Sequence, residues 1–302
     1  MTEPYPKRPS EPPAVDGGFP TTAQLLTRIT AQLGTQLDHL HLDGTRRPPM
    51  TAPDRPTLVA VAHGSRDPRA VPAVTALLDR VRELRPGLPV RLGHIELNAP
   101  LLTDTLDALP DGGDAIAVPL LFGRGYHVKH DLPAAAAAAA PRLRVRVADP
   151  LGPHPLLVEA LHDRLAEAGW RPGHAARPGT GVVLAAAGSR DPDSAAGTRR
   201  LAALLSARLG GVPVVAAYAS AATPTVPEAV RALAARGRHR VAVASCFTAP
   251  GLFATRAAAA APWIAAAPIG PHPALARLVL HRYDRAVAAL AGTGRAREFA
   301  PV

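Results

Sequence analysis

One phrase occurs twice in this chain. "VAHGSRDP" (Val61–Pro68) returns as "AAAGSRDP" (Ala185–Pro192), and its surroundings return with it. His63 to Ala187 is an offset of 124, Pro100 to Pro224 is again 124, Phe122 to Phe247 is 125, and "GPHP" at Gly152 recurs at Gly270, 118 later. The loops differ by a few residues while the order of segments does not, so the chain is read as two copies of one unit. The apolar runs also pair off: "TLVAVA" with "GVVLAAA", "PVRLGHIE" with "VPVVAAYA", "DAIAVPLL" with "HRVAVASC", and "LRVRVADP" with "WIAAAPIG". Each is of strand length and does not alternate with polar residues, as in a strand covered on both faces.

Between these runs lie helical stretches such as "AVPAVTALLDRVREL" and "AAGTRRLAALLSARL". Strand and helix alternate four times in each half, which predicts an α/β fold of two mainly four-stranded parallel sheets flanked by helices, with right-handed crossovers. The expected domains are 56–170 and 181–295, joined by a Gly/Pro-rich linker at 171–180 and followed by a tail at 296–302. Residues 1–55 read as a Pro-rich, mostly disordered extension. Within it Leu25, Ile29 and Leu33 allow one short helix, and Met50 is a second possible start. In the last helical stretch, "ARLVLHRYDRAVAAL", an apolar stripe is expected from Leu278, Tyr283, Val287 and Leu290.

Hydrophobic residues make up 47% of the 302 and aromatic residues only 4%, so the cores must be built from Ala, Val and Leu. The single cysteine, Cys246, cannot form an internal disulfide, and no apolar run resembles a signal peptide or a membrane span. A cytoplasmic protein is expected. The net charge of +10 suits an anionic partner, but the arginines are not interleaved with aromatics as in single-strand nucleic-acid binders. A small polycarboxylate or phosphate ligand fits as well as a polymer, and neither nucleic acid nor membrane is expected as a partner.

Ligands of open parallel sheets bind beyond the carboxyl ends of the strands. His63 follows the first strand, Glu96 closes the second, and His127 follows the third within "FGRGYHVKHDLP". The second copy is an internal control: at the same offsets these residues become Ala187, Ser220 and Leu252. All three polar groups vanish while Gly-Ser-Arg-Asp-Pro stays, so they serve chemistry rather than the fold.

"HGSRDP" after the first strand, a glutamate after the second and "GYHVKHDLP" after the third resemble the small bacterial sirohydrochlorin chelatases, the cobalto- and ferrochelatases of the corrin and siroheme pathways. The resemblance runs from about Pro56 to the end and implies two tandem chelatase-like domains, the second degenerate. It implies insertion of ferrous iron or cobalt, with nickel also suited to imidazole, into sirohydrochlorin or a related tetrapyrrole, with the metal as substrate and no prosthetic group. By that resemblance His63 and His127 present the metal, and Glu96 is either a third ligand or the acceptor of a pyrrole N–H proton. Arg66, Arg124 and Tyr126 are candidate substrate contacts. Of the two arginines Arg124 is the better candidate for a substrate carboxylate, since Ala249 replaces it, whereas Arg66 and Ser65 recur as Arg190 and Ser189 and point to loop shaping. Asp131 is expected to cap the helix "LPAAAAAAA", and His130 to assist the metal at most.

Two other classes stay open at this stage: a non-catalytic metal carrier or sensor using the same histidines, and a nucleotide-binding enzyme, which the absence of G-x-G-x-x-G and of a P-loop disfavours. The working unit is expected to be a monomer with pseudo-dimeric halves, or a homodimer. The second half is expected to pack on the first and cover the tetrapyrrole, with "FTAPGLF" (Phe247–Phe253) as apolar contact. A fragment lacking Gly181–Val302 is expected to stay soluble and to keep its metal.

Overall fold

The computed structural model describes residues 55–298, with side chains to 290, so the extension, its helix and Met50 lie outside the described residues. The first half runs β1 (Thr57–Ala62), α1 (Ala70–Leu84), β2 (Val90–His94), α2 (Leu102–Asp107), β3 (Asp114–Pro119), α3 (Leu132–Ala139), β4 (Arg144–Val147) and α4 (Pro155–Glu167). The second repeats it as β5 (Thr180–Ala186), α5 (Pro192–Arg208), β6 (Val214–Tyr218), α6 (Val226–Ala234), β7 (Arg240–Ser245), α7 (Leu252–Ala259), β8 (Ile264–Ala265) and α8 (Pro273–Glu298). Each half holds one parallel four-stranded sheet, ordered β2-β1-β3-β4 and β6-β5-β7-β8. The central strands are buried on both faces, which is why their sequences do not alternate.

The faces of β1 divide between two cores. Val59 and Val61 look outward to a cluster with Leu102, Leu106 and Leu132, covered by α2 and α3. Leu58, Ala60 and Ala62 look inward to a larger cluster that also holds Val182, Leu184 and Tyr283 of the second half. The two halves therefore share one core between their sheets and form a single compact unit.

The terminal helices are exchanged. Helix α4 leaves its own sheet and packs on α5 and β7, while α8 returns to pack on α1 and β3, and the two helices cross each other. Leu278 and Tyr283 are buried in the shared core with Val287 and Leu290 against it, so the expected stripe exists, but it seals the first half. The Tyr283 hydroxyl donates to Pro56 O at 2.7 Å, and Arg85 forks onto Asp284. Hydrogen bonds repeat the exchange symmetrically: Arg164 donates to Ile269 O at 2.7 and 2.9 Å, and Arg282, its equivalent 118 residues on, reaches Leu151 O at 3.4 Å. The exchange argues against the expectation of a self-sufficient first half, because removing 181–302 would take α8 away from α1 and β3.

The repeated "GPHP" is explained here as well. His154 and His272 cap α4 and α8, each Nδ1 accepting the backbone N–H two residues on at 3.1 and 3.2 Å, with Pro at the first helical position of both.

Candidate metal and tetrapyrrole site

In the first sheet β1 lies between β2 and β3, so the residues that follow these three strands meet on one rim although they are far apart in sequence. From β1 the chain steps to β2 on one side and then crosses back past β1 to β3 on the other, the switch point at which such sheets bind ligands. His63 sits at the centre. Its ring meets that of His127 edge to face, centroids 4.8 Å apart, and its Nδ1 lies 3.5 Å from Glu96 Oε1. The sequence reading brought these three together, and the structure places them together. Among the described residues no three His, Cys, Asp or Glu side chains enclose an ion, so the arrangement is an open pair of imidazoles beside a carboxylate.

The loop common to both copies is built by its glycine, serine and aspartate. Gly64 has φ +102°, and a Cβ there would stand 1.8 Å from Glu96 O; Gly188 repeats this with φ +92° and 1.9 Å to Ser220 O. Only glycine permits both the left-handed backbone and that approach. The Glu96 N–H donates to His63 O at 3.1 Å, and the Ser220 N–H to Ala187 O at 3.0 Å. Ser65 Oγ accepts the Asp67 N–H at 3.1 Å, as Ser189 Oγ does from Asp191. Asp67 accepts from the Arg69 side chain and N–H, which holds its carboxyl down at about 2. The loop thus keeps its shape in the copy that has lost its imidazole, and Ser65 is a loop-shaping residue rather than a nucleophile.

Arg66 takes no part in that shaping. It is exposed, lines the cavity in front of His63, and has no hydrogen-bond or ion-pair partner among the described residues. Arg124, the stronger candidate from sequence, is placed elsewhere: its guanidinium is on Asp149, beyond β4, and it does not line the cavity. The reason is sheet order, since the loops after β3 and β4 are neighbours. Tyr126 does line the cavity, stacked on His130 with centroids 4.7 Å apart, which leaves His130 outside the wall.

Asp131 is not a helix cap. Residues His127–Asp131 form one π-helical turn continuous with α3, and Asp131 has helical φ and ψ and makes no capping bond. Its Oδ2 instead stands 2.6 Å from Nδ1 of His127, four residues back on the same face. His94 was not singled out from sequence. It is buried at the end of β2, lines the cavity, and places Nδ1 at 3.1 Å from Pro100 O. Cys246 lines the cavity too, but burial pushes its thiol up to about 12, so it supplies no thiolate at neutral pH.

The cavity measures about 800 Å³ and lies between the halves. One wall carries His63, Glu96 and His127; the other carries Ala187, Ser220 and Leu252, with Phe247 and Phe253 from the predicted apolar loop. Lys129, in the middle of the π-helical turn His127–Asp131, ties the walls by pairing with Asp191 and Asp193 at 2.7 Å, which raises its pKa and lowers that of Asp191. Thr248 Oγ1 donates to Leu120 O at 2.9 Å across the same seam.

The sequence profile of the CbiX family matches residues 57–168 and again 181–286. The chain belongs to the CbiX family. Within the curated proteins, this CbiX chain is 30% identical over 177 residues to a sirohydrochlorin ferrochelatase of Bacillus subtilis, a match spanning 57% of the chain and 66% of that protein. It is 31% identical over 114 residues to a sirohydrochlorin cobaltochelatase of Sulfolobus acidocaldarius, covering 37% of the chain and 90% of that protein. The solved structure of SirB from Bacillus subtilis with Fe3+ superposes with a TM-score of 0.64 at 22% identity, covering 79% of this CbiX chain and 98% of SirB. A multi-domain protein of Deinococcus radiodurans, described as structurally similar to chelatases, gives a TM-score of 0.57 at 22% identity over 76% of this chain and 55% of its own. The two-sheet fold is therefore that of chelatase-like proteins. No helix among the described residues is long and apolar enough to cross a membrane.

Proposed function

We propose that this CbiX chain is a sirohydrochlorin chelatase, a lyase-class enzyme that places ferrous iron or cobalt into a tetrapyrrole. The observation that carries the reading is the His63–His127 pair, present in one half only and facing a cavity whose other wall is the half that lacks it. A volume of about 800 Å³ lies high in the range of roughly 300–1,000 Å³ usual for small-molecule sites and suits a macrocycle, whereas a bare ion carrier needs no such space. Cytoplasmic location, and a second half filling the place of a partner subunit, belong to the same proposal.

Neutral imidazoles suit iron, cobalt and nickel, and two of them leave positions on the metal for ring nitrogens to occupy in turn. Arg66, free of protein partners, meets a peripheral carboxylate, which a guanidinium binds as a fork. Tyr126 and the Phe247–Phe253 loop offer apolar contact to the ring. The test is anaerobic incubation with sirohydrochlorin and ferrous iron or cobalt in turn, followed by absorbance. Metal binding with no change in the tetrapyrrole spectrum would reject insertion and leave a carrier.

Glu96 either ligates the metal or removes a pyrrole N–H proton. Its exposed carboxylate, 3.5 Å from His63 Nδ1, is shaped for proton removal beside the metal, and Glu96→Gln keeps the shape without the basic oxygen. Turnover is expected to fall at least tenfold with cobalt affinity nearly unchanged, compared by kinetics and calorimetry. A loss accounted for wholly by weaker cobalt binding would make Glu96 a ligand instead.

A further inference from the structure

His127 can offer the cavity either ring nitrogen, and which one it offers depends on what the other is bonded to. Nδ1 stands 2.6 Å from Asp131 Oδ2, a distance for a strong N–H···O⁻ bond. A carboxylate only accepts, so in the neutral imidazole this contact places the proton on Nδ1 and leaves Nε2 its lone pair. The π-helical turn over His127–Asp131 continues into α3 and sets both side chains on one face. We infer that Asp131 is the positioning residue of this site: it fixes the tautomer and the ring orientation of His127 so that Nε2 is the donor presented to the incoming divalent metal. The inference rests on the reading of His127 as a metal donor.

The duplicated half gives an independent argument. At the offset that turns His127 into Leu252, Asp131 becomes Arg256. In the same loops the residues that build the backbone, Gly64, Ser65 and Asp67, persist as Gly188, Ser189 and Asp191. Helix α7 forms in the second half without a carboxylate at this position, so the helix itself does not require one. Asp131 has gone with the imidazole it touches. Glu96, 3.5 Å from Nδ1 of His63, vanishes with His63 in the same way, though its looser contact fixes the ring less firmly.

The role separates from a structural one by chemistry. Asp131→Asn keeps an oxygen that can accept from Nδ1–H but removes the charge; Asp131→Ala removes both. Neither should disturb the fold, since the side chain is 40% exposed and caps nothing. Nitrogen-15 long-range NMR of the metal-free full chain at a pH where imidazole is neutral reads the tautomer, with the His127 signals identified by their loss in His127→Ala. Cobalt titration of each variant reads affinity. Wild type and Asp131→Asn are expected to hold the Nδ1–H form, with Asn within about tenfold of wild-type affinity. Asp131→Ala is expected to shift toward Nε2–H and to lose about 10–100-fold in cobalt affinity, the range for such partners. An Asp131→Ala protein that keeps the Nδ1–H form, or that binds cobalt as wild type does while His127→Ala does not, overturns the inference. If His127→Ala itself binds cobalt normally, the metal-donor reading fails instead, and the NMR result still decides what Asp131 does to the ring.

Discussion

Replacing either His63 or His127 by alanine is expected to abolish metal insertion and to leave the protein folded. The two side chains are 44% and 34% exposed and stand beyond the sheet, His63 on a loop and His127 at the start of the π turn, so their loss should change stability by about 1 kcal/mol or less. The second half already contains the experiment. Ala187 and Leu252 occupy the equivalent positions, and the backbone around His63 is repeated around Ala187: Ile95 N–H donates to Ala62 O at 2.9 Å, and Ala219 N–H donates to Ala186 O at 2.9 Å, while at Leu252 the helix α7 forms without the π turn. A fold that keeps its strand ends without either histidine does not depend on them. Insertion rates and melting temperatures of the two variants, measured beside wild type, check both halves of the expectation. Turnover above the uncatalysed rate in both variants would remove the histidines from the chemistry, and a large fall in melting temperature would make them structural.

Much of this site was legible because duplication lets one half annotate the other. Residues kept in both copies proved to build backbone: Gly64 for its left-handed turn, Ser65 and Asp67 for the loop, His154 for its cap. Residues lost from the second copy lie on the cavity wall, as His63, Glu96 and His127 do. Strands were readable from unbroken apolar runs, and the meeting of His63 with His127 follows once β1 and β3 are neighbours. The rule has limits that are physical. Arg124 is also lost in the second copy, yet it serves a surface ion pair with Asp149, because neighbouring loops offer more than one partner to a long side chain. Arg66 is kept in both copies without shaping either loop. The i, i+4 spacing of His127 and Asp131 was visible, but a carboxylate before Leu-Pro reads equally as a cap until a π turn carries the helix through it.

The exchange of α4 and α8 was not legible, since an apolar stripe declares that a helix is buried and not what buries it. Its consequence is a large expected effect: a fragment ending at residue 180 should fail to fold as a monomer. In the full chain Leu275, Leu278, Val279 and Tyr283 of α8 are at most 4% exposed, and α8 packs on α1 and β3. Leaving one large apolar side chain's worth of surface in water costs about 1.5–3 kcal/mol, so losing four such contacts removes stabilisation comparable to the roughly 5–15 kcal/mol that holds a whole domain together. Helix α4 would lose its seat on α5 and β7 at the same time. Pseudo-symmetry offers the fragment one escape, a dimer in which α4 of a second copy takes the place of α8. The crossing of the two helices opposes it. Glu159 pairs with Arg277, its own equivalent 118 residues on, at 2.5 Å, and in a fragment dimer Glu159 would face Glu159. Circular dichroism and sedimentation of the fragment, alone and mixed with residues 181–302, separate the cases. The expected result is an aggregated or weakly dimeric fragment that becomes soluble with its complement. A monomer with a cooperative unfolding transition would show that the first half closes its core without α8, and the helix exchange would then not be a condition of folding.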